Sequence, residues 1–231
     1  MDHAASLHRD AQVLDLWDRA VGLNRWARDD AVLGMQAPRG LGGRNLAFLE
    51  LRSTVFGPGW PLQSCCPSCG LQVEFAADSA VLRAELGRLA RAEVADVDWR
   101  GRLVTLKAVT VDDLIAASRS VDAAGAVLAR CVSGADGVTL GAAEREELSD
   151  LMEQVDPAAA VSFALTCPGC GVAWSAMVDV AEAVWLELRR AAERALVEVD
   201  ALARAYGWTE AEVMALSPRR RAAYLQLVQA Q

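Results

Sequence analysis

Cys65-Cys66-Pro67-Ser68-Cys69-Gly70 and Cys167-Pro168-Gly169-Cys170-Gly171 decide how this chain folds. Each contains Cys-Pro-x-Cys-Gly, and the second copy follows the first by 101 residues, Cys66 to Cys167 and Cys69 to Cys170. The proline presets φ where the turn begins. The glycine after the second cysteine supplies the positive φ that turns the backbone towards a metal. Together the knuckles offer Cys66, Cys69, Cys167 and Cys170, the ligand set of a closed tetrahedral zinc site. Four thiolates leave no open position, so a structural Zn2+ is expected, with iron as an alternative ion. A redox dithiol is the rival, but it expects a Cys-x-x-Cys beside a βαβ pattern, and none is evident. Cys65 is either a substitute ligand or a bystander. Cys131, in an apolar helical run, is expected to pack as a small hydrophobe.

Strand signals cluster around the knuckles. LQVEFAA, from Leu71, alternates apolar and polar residues, as do AVSFALTC before Cys167 and VAWSAMVDV after Gly171. They predict a small three-stranded antiparallel sheet, a zinc ribbon split by a long insertion. Metal binding would then tie distant sequence together, so its binding energy would be folding energy.

Elsewhere the patterns are helical. Residues 9–21 place Val13, Leu14, Trp17 and Val21 at helical spacing, with Trp17 expected in the core. A short helix follows around Trp26. Residues 37–43, APRGLGG, read as a turn, and the glycines 40–43 as a turn rather than a phosphate cradle. A helix over 44–56 carries Leu46, Leu49, Leu51 and Phe56 and stops at Gly57-Pro58-Gly59. Trp60 and Pro61 lead into the first knuckle. Asp78 is an expected N-cap for a helix over 78–92. Residues 97–106 read as a hairpin with Arg100-Gly101 at its tip. Thr110 to Asp113 opens a helix, and a further helix ends at Ser133-Gly134. After a loop, a charged helix runs to Asp156-Pro157.

The last third predicts a long helix over 181–206, closed by Gly207. Thr209 to Glu212 is a capping box, and Ser217-Pro218 starts a final helix. Arg219, Arg220 and Arg221 fall in that helix's first turn, where positive charge opposes the helix dipole. The run is therefore a candidate partner-facing patch, against the alternative of a solvated face.

The expected fold class is α+β, mostly α, a small antiparallel zinc-ribbon sheet surrounded by helices. The expected segments are a helical 1–62, a ribbon split between 63–77 and 160–180, an inserted α/β-hairpin segment 78–159, and a helical 181–231. With 53% hydrophobic and 23% charged residues, the chain is globular rather than disordered. A net charge of −8 disfavours generic nucleic-acid coating. Cysteines confined mainly to knuckles suit a reducing compartment better than a disulfide scaffold. Neither a secretory signal nor an apolar membrane-spanning run is evident, so the expected localisation is cytoplasmic. The histidines, His3 and His8, lie near the N-terminus and form no triad or His-rich metal site. Phosphate-binding and nucleophile-elbow motifs are absent, and no enzymatic activity is expected.

Several stretches together carry a resemblance. They are LDLWDRAVGLNRWARDDAVL, the CPSCG knuckle after FGPGWPLQSC, CPGCGVAW followed by DVAEAVWLEL, and the ending EVDALARAYGWTEAEVMALSPRRRAAYLQLV. The chain resembles proteins encoded with contractile phage tail-like injection systems, similar in kind to the contractile-phage baseplate hub assembly chaperone family. The resemblance spans most of the chain and is strongest from Cys167 onward. It implies a non-enzymatic assembly factor or component of the baseplate, acting through protein–protein interaction with baseplate or hub proteins. It also implies that the four knuckle cysteines are metal ligands, and that Tyr206, Trp208 and Tyr224 belong to a shared structural or docking element. Asp200 departs from the pattern, which has histidine in the long C-terminal helix. Two alternatives stand beside this reading: a zinc-ribbon nucleic-acid-binding regulator, and a thiol-dependent oxidoreductase.

Overall fold

The computed structural model describes residues 3–89, 93–135 and 140–230. In chain order the elements are α1 (His3–Ala20), α2 (Arg25–Leu33), α3 (Leu41–Phe56), β1 (Gly59–Cys65), β2 (Gln72–Asp78), α4 (Ser79–Leu89), β3 (Val94–Trp99) and β4 (Arg102–Lys107). There follow α5 (Val111–Ala117), α6 (Ala123–Cys131), β5 (Val132–Ser133), α7 (Ala142–Val155), β6 (Ser162–Thr166), β7 (Ala173–Met177), α8 (Val180–Tyr206), α9 (Glu210–Met214) and α10 (Pro218–Gln229). This is the expected α+β, mostly α fold with small antiparallel sheets. Residues 90–92 of the helix expected over 78–92, and 136–139 of the expected loop, lie outside the described residues.

Contacts divide the chain into residues 1–35 with 182–231, and residues 36–181. This grouping differs from the expected helical segment 1–62. The first two helices group with the C-terminal helices, whereas α3 groups with the ribbon and its insertion.

In the first unit, Val13, Leu16 and Ala20 are the buried stripe of α1, with Trp17 only half-buried and Val21 44% exposed. The stripe is rotated from the one the sequence suggests. Spacings of three and four still place Val13, Leu16 and Ala20 on one face. α8 contributes Val184, Trp185, Leu188, Ala192 and Leu202 to the core. Asn24 caps α2 by accepting from Ala27 N at 3.2 Å. Arg28, also in α2, is buried, bonds Glu182 at 2.8 Å and lies 5.2 Å over the Trp185 ring. The buried guanidinium is compensated by a carboxylate and an aromatic face.

In the second unit, β3 and β4 form a hairpin whose tip, Arg100-Gly101, has φ of 56° and 77°. Positive φ at both central residues is the two-residue turn that matches strand twist. β5 adds to β4. Trp99, Val104, Leu106, Leu128, Leu148 and Val155 form the core between this sheet and helices α6 and α7. The Thr110–Asp113 capping box opens α5 as expected. Asp113 is buried, and it also takes Arg130 Nε at 2.8 Å and Lys107 Nζ at 3.1 Å. Burial alone would raise its carboxyl. The Thr110 hydroxyl and N–H, then Lys107 and Arg130, outweigh this and hold it well below the usual carboxylate range. Cys131 is buried beside it, as its apolar run predicts, and burial pushes the thiol up to about 11.

α3 begins at Leu41, inside the stretch read as a turn. Its N-cap, Gly40, has no side chain to offer. Asp156, at the end of α7, supplies the cap instead by accepting Gly42 N at 3.2 Å. At the other end of α3, fully buried Arg52 donates to Gly57 O at 2.5 Å and Gly59 O at 2.6 Å. The same guanidinium lies 5.8 Å over the Trp60 ring. One side chain thus fixes the exit from α3 into β1.

Candidate metal centre

The ribbon is built from two hairpins rather than the expected three-stranded sheet. β1 pairs with β2 and β6 with β7, each antiparallel, in two separate two-stranded sheets. β1 is the strand the sequence conceals. Gly59 and Pro61 depress strand propensity, and Pro61 removes an N–H that only an edge strand can spare.

Each hairpin ends in a knuckle, and the two knuckles match bond for bond. Cys66 N donates to Leu71 O, and Cys167 N to Val172 O, both at 2.9 Å. Gly70 N donates to Cys66 O, and Gly171 N to Cys167 O, again at 2.9 Å. The glycine φ values are 73° and 74°, the left-handed conformation anticipated from sequence. The match extends along the strands at the same 101-residue offset. Trp60 and Val161 are buried, Leu62 and Phe163 half-buried, Val73 and Trp174 half-buried. The half-buried faces meet across the ribbon, with Phe75 and Phe163 rings 5.2 Å apart.

This arrangement brings the four predicted cysteines together. Their Sγ atoms all lie within 4.8 Å of one another. Cys66 Sγ is 3.6 Å from Cys170 Sγ, and Cys69 Sγ is 3.5 Å from Cys167 Sγ, so both close pairs cross between hairpins. Cys66 and Cys167 are buried, Cys69 and Cys170 exposed. Cys65 is exposed, ends strand β1, and lies outside the cluster of four sulfurs. It is therefore a bystander, not a substitute ligand.

The electrostatics ask for a cation. Backbone N–H groups of Cys170 and then Gly169 donate to Cys167 and pull its thiol down to about 6. The Leu71 N–H acts likewise on Cys69, but the surrounding thiols outweigh it and push that group up to about 12. Thiols this close ionise together only if positive charge sits among them. No lysine or arginine occurs in 59–78 or 161–178, where Glu74 and Asp78 are the charged residues. A metal ion bound by Cys66, Cys69, Cys167 and Cys170 would supply the missing charge. The donor set fits a soft or borderline cation in tetrahedral coordination.

The other singled-out residues belong to the first unit, not to the metal centre. Tyr206 stacks on Trp208 at 4.7 Å, and Tyr224 meets them edge-on at 5.6 and 4.9 Å. Tyr206 is exposed, while Trp208 and Tyr224 are half-buried. The arginine run is split. Arg219 and Arg220 are exposed, but Arg221 is buried, bonding Glu198 at 2.9 Å and pairing with Asp10. Arg221 faces the interior of its own unit, which corrects its place in a partner-facing patch. Within the glycine cluster 40–43, the Asp156 carboxylate lies beside Gly42 and accepts its N–H. Sequence reasoning missed Arg52, Asp113 and Asp156 as organising groups. The capping box flags Asp113, but nothing local flags the other two.

No family model matches the chain, nor does any curated protein or solved structure. Among the described residues, no helix is long and apolar enough to cross a membrane. The fold and centre thus define a class only, a helix-rich protein with a split four-cysteine centre.

Proposed function

We propose that the chain is a structural-zinc protein that works by contact with other proteins, as an assembly factor or component of a contractile phage tail-like baseplate. One observation carries the first part: four cysteine sulfurs converge from two hairpins far apart in sequence. Four thiolates fill a tetrahedral ion's coordination shell and leave no place for substrate or activated water. Zn2+ is the ion this set suits best. The metal then works as a staple, joining the two ends of an inserted segment.

The ribbon's charge inventory favours a protein partner. Nucleic-acid-binding modules present lysine and arginine to phosphates. This ribbon has acidic residues and no basic ones. The baseplate assignment rests on the sequence resemblance, above all from Cys167 onward. Arg219, Arg220, Tyr206, Trp208 and Tyr224 are the surface through which hub or baseplate proteins would dock.

Elemental analysis with size-exclusion light scattering tests the staple: one zinc per chain, lost together with folding in Cys66→Ser, is expected. Co-purification from cells co-expressing contractile-tail baseplate proteins tests the partner. Zinc-loaded protein that captures no baseplate component, with intact or with R219A/R220A surface, would remove the assembly role and leave the staple standing.

A further inference from the structure

A pocket of about 320 Å3 lies in the second unit between the start of α3, the end of β4 and helices α5, α6 and α7, and no cysteine lines it. We infer that it is a binding site for a small organic cation, an apolar ring or short chain carrying one ammonium group, with Asp156 as the counter-charge. The inference is independent of the metal-staple reading and of the baseplate assignment.

Apolar walls supply the body of the site. Leu41 comes from α3, Leu106 from β4, Leu114 from α5, Leu128 from α6, and Met152 and Val155 from α7. A cavity of about 150 Å3 lined by such side chains takes benzene. This pocket therefore has room for a ring or short chain with a polar end. Apolar walls with a few placed polar groups are the make-up of small-molecule sites.

Charge selects the occupant. The charged side chains lining the pocket are Lys107, Glu153 and Asp156. Lys107 is committed elsewhere, its ammonium 3.1 Å from the buried carboxylate of Asp113. Glu153 is exposed, whereas Asp156 is half-buried. Asp156 accepts Gly42 N at 3.2 Å, and among the described residues no lysine or arginine forms an ion pair with it. Burial raises its carboxyl, and the N–H groups of Gly42, Ala158 and Ala159 offset this only in part. A carboxylate has about four acceptor sites, so those donors leave one for a ligand. An ammonium there would supply the counter-charge that the chain does not. An anion would have to draw Lys107 away from Asp113 while facing Asp156 and Glu153.

The test is a nuclear magnetic resonance titration of the full-length protein with methyl-labelled methionine. The probes are hexylamine and phenethylamine, both protonated at pH 7 as primary amines, set against hexanol and hexanoate. Met152 lines the pocket, whereas Met35 and Met177 are exposed outside it and report non-specific binding. The expected result is a saturable shift at Met152, with Met35 and Met177 unmoved. Hexylamine should bind about tenfold or more tighter than hexanol and hexanoate, the difference a bond to a charged group carries. Asp156→Asn keeps the shape and should abolish the preference for amine over alcohol. Ala124→Leu, at an exposed position on the pocket wall, should block every probe. Circular dichroism checks that both variants fold. Equal affinity for hexylamine and hexanol, tighter binding of hexanoate, a preference that survives in Asp156→Asn, or equal shifts at Met35 and Met177 would each overturn the inference. If Asp156→Asn does not fold, the comparison of probes on the wild-type chain and the block by Ala124→Leu decide it.

Discussion

Asp156 Oδ2 accepts the backbone N–H of Gly42 at 3.2 Å, although 114 residues separate the two. The bond caps α3 from the end of α7 and explains why residue 42 has no side chain. A Cβ there would lie 1.8 Å from Asp156 Oδ1. In a free helix Gly→Ala would stabilise by about 1 kcal/mol. Here the clash should dominate, and Gly42→Ala should destabilise by about 1–2 kcal/mol. Asp156→Ala should cost about 1 kcal/mol through the lost cap. The double variant should lose less than the sum, because the second change removes the clash created by the first. Urea unfolding of the three variants measures this, and strictly additive losses would refute the shared origin.

What the sequence discloses follows the range of the interactions involved. Thr110 with Asp113, Thr209 with Glu212, and Ser217 with Arg220 N are contacts over three residues, and each is legible as a pattern. The four-cysteine cluster is legible for a different reason: its two halves repeat the same local knuckle, so each announces the other. β5 is two residues long and exists only because β4 offers an edge. α3 starts among glycines because its cap lies far along the chain. Arg221 reads as part of a charged surface run because its acids, Glu198 and Asp10, are 23 and 211 residues away.

Asp113 should make folding acid-sensitive. Its carboxyl titrates well below the usual range in the folded protein and near about 3.9 in the unfolded chain. The folded state therefore gains stability above the unfolded value, and loses it as pH falls from about 4 towards the folded pKa. Asp113→Asn should cost about 2–3 kcal/mol at pH 7, since Arg130 and Lys107 lose their buried counter-charge. The gap between variant and wild type should narrow at pH 3. Denaturant titrations at both values check the sign, and a gap that widens on acidification would contradict it.

On the proposed reading, removing an ion held by the four cysteines should unfold the ribbon. Ligand-to-serine substitution or a strong chelator takes away binding energy that appears as folding energy. A loss of more than about 5 kcal/mol corresponds to a fall in Tm of roughly 10 °C or more for a chain of this size. Hydrogen exchange should rise first in 59–78 and 161–178. Cys65→Ser, at an exposed position outside the ligand set, should shift stability by less than about 0.5 kcal/mol. Equal damage from Cys65→Ser and Cys66→Ser would contradict the assignment of ligands.

The three C-terminal arginines should separate into two kinds. Arg221 is 3% exposed and meets Asp10 and Glu198, joining α10 to α1 and α8. Truncating it removes the cation that Glu198 and Asp10 share and leaves Asp10, among the described residues, only its longer pairing with Arg9, at 3.4 Å. Asp10 is 13% exposed, so its penalty is near that of a buried charge, whereas Glu198 at 35% recovers some water. Arg221→Ala should therefore destabilise by about 2–4 kcal/mol. Arg219→Ala and Arg220→Ala remove exposed charge from a helix N-terminus, where positive charge is unfavourable, and should be neutral or slightly stabilising. Thermal unfolding of the three single variants distinguishes the roles. Equal effects at all three positions would mean that Arg221 is not the interior anchor, and would return it to the surface run.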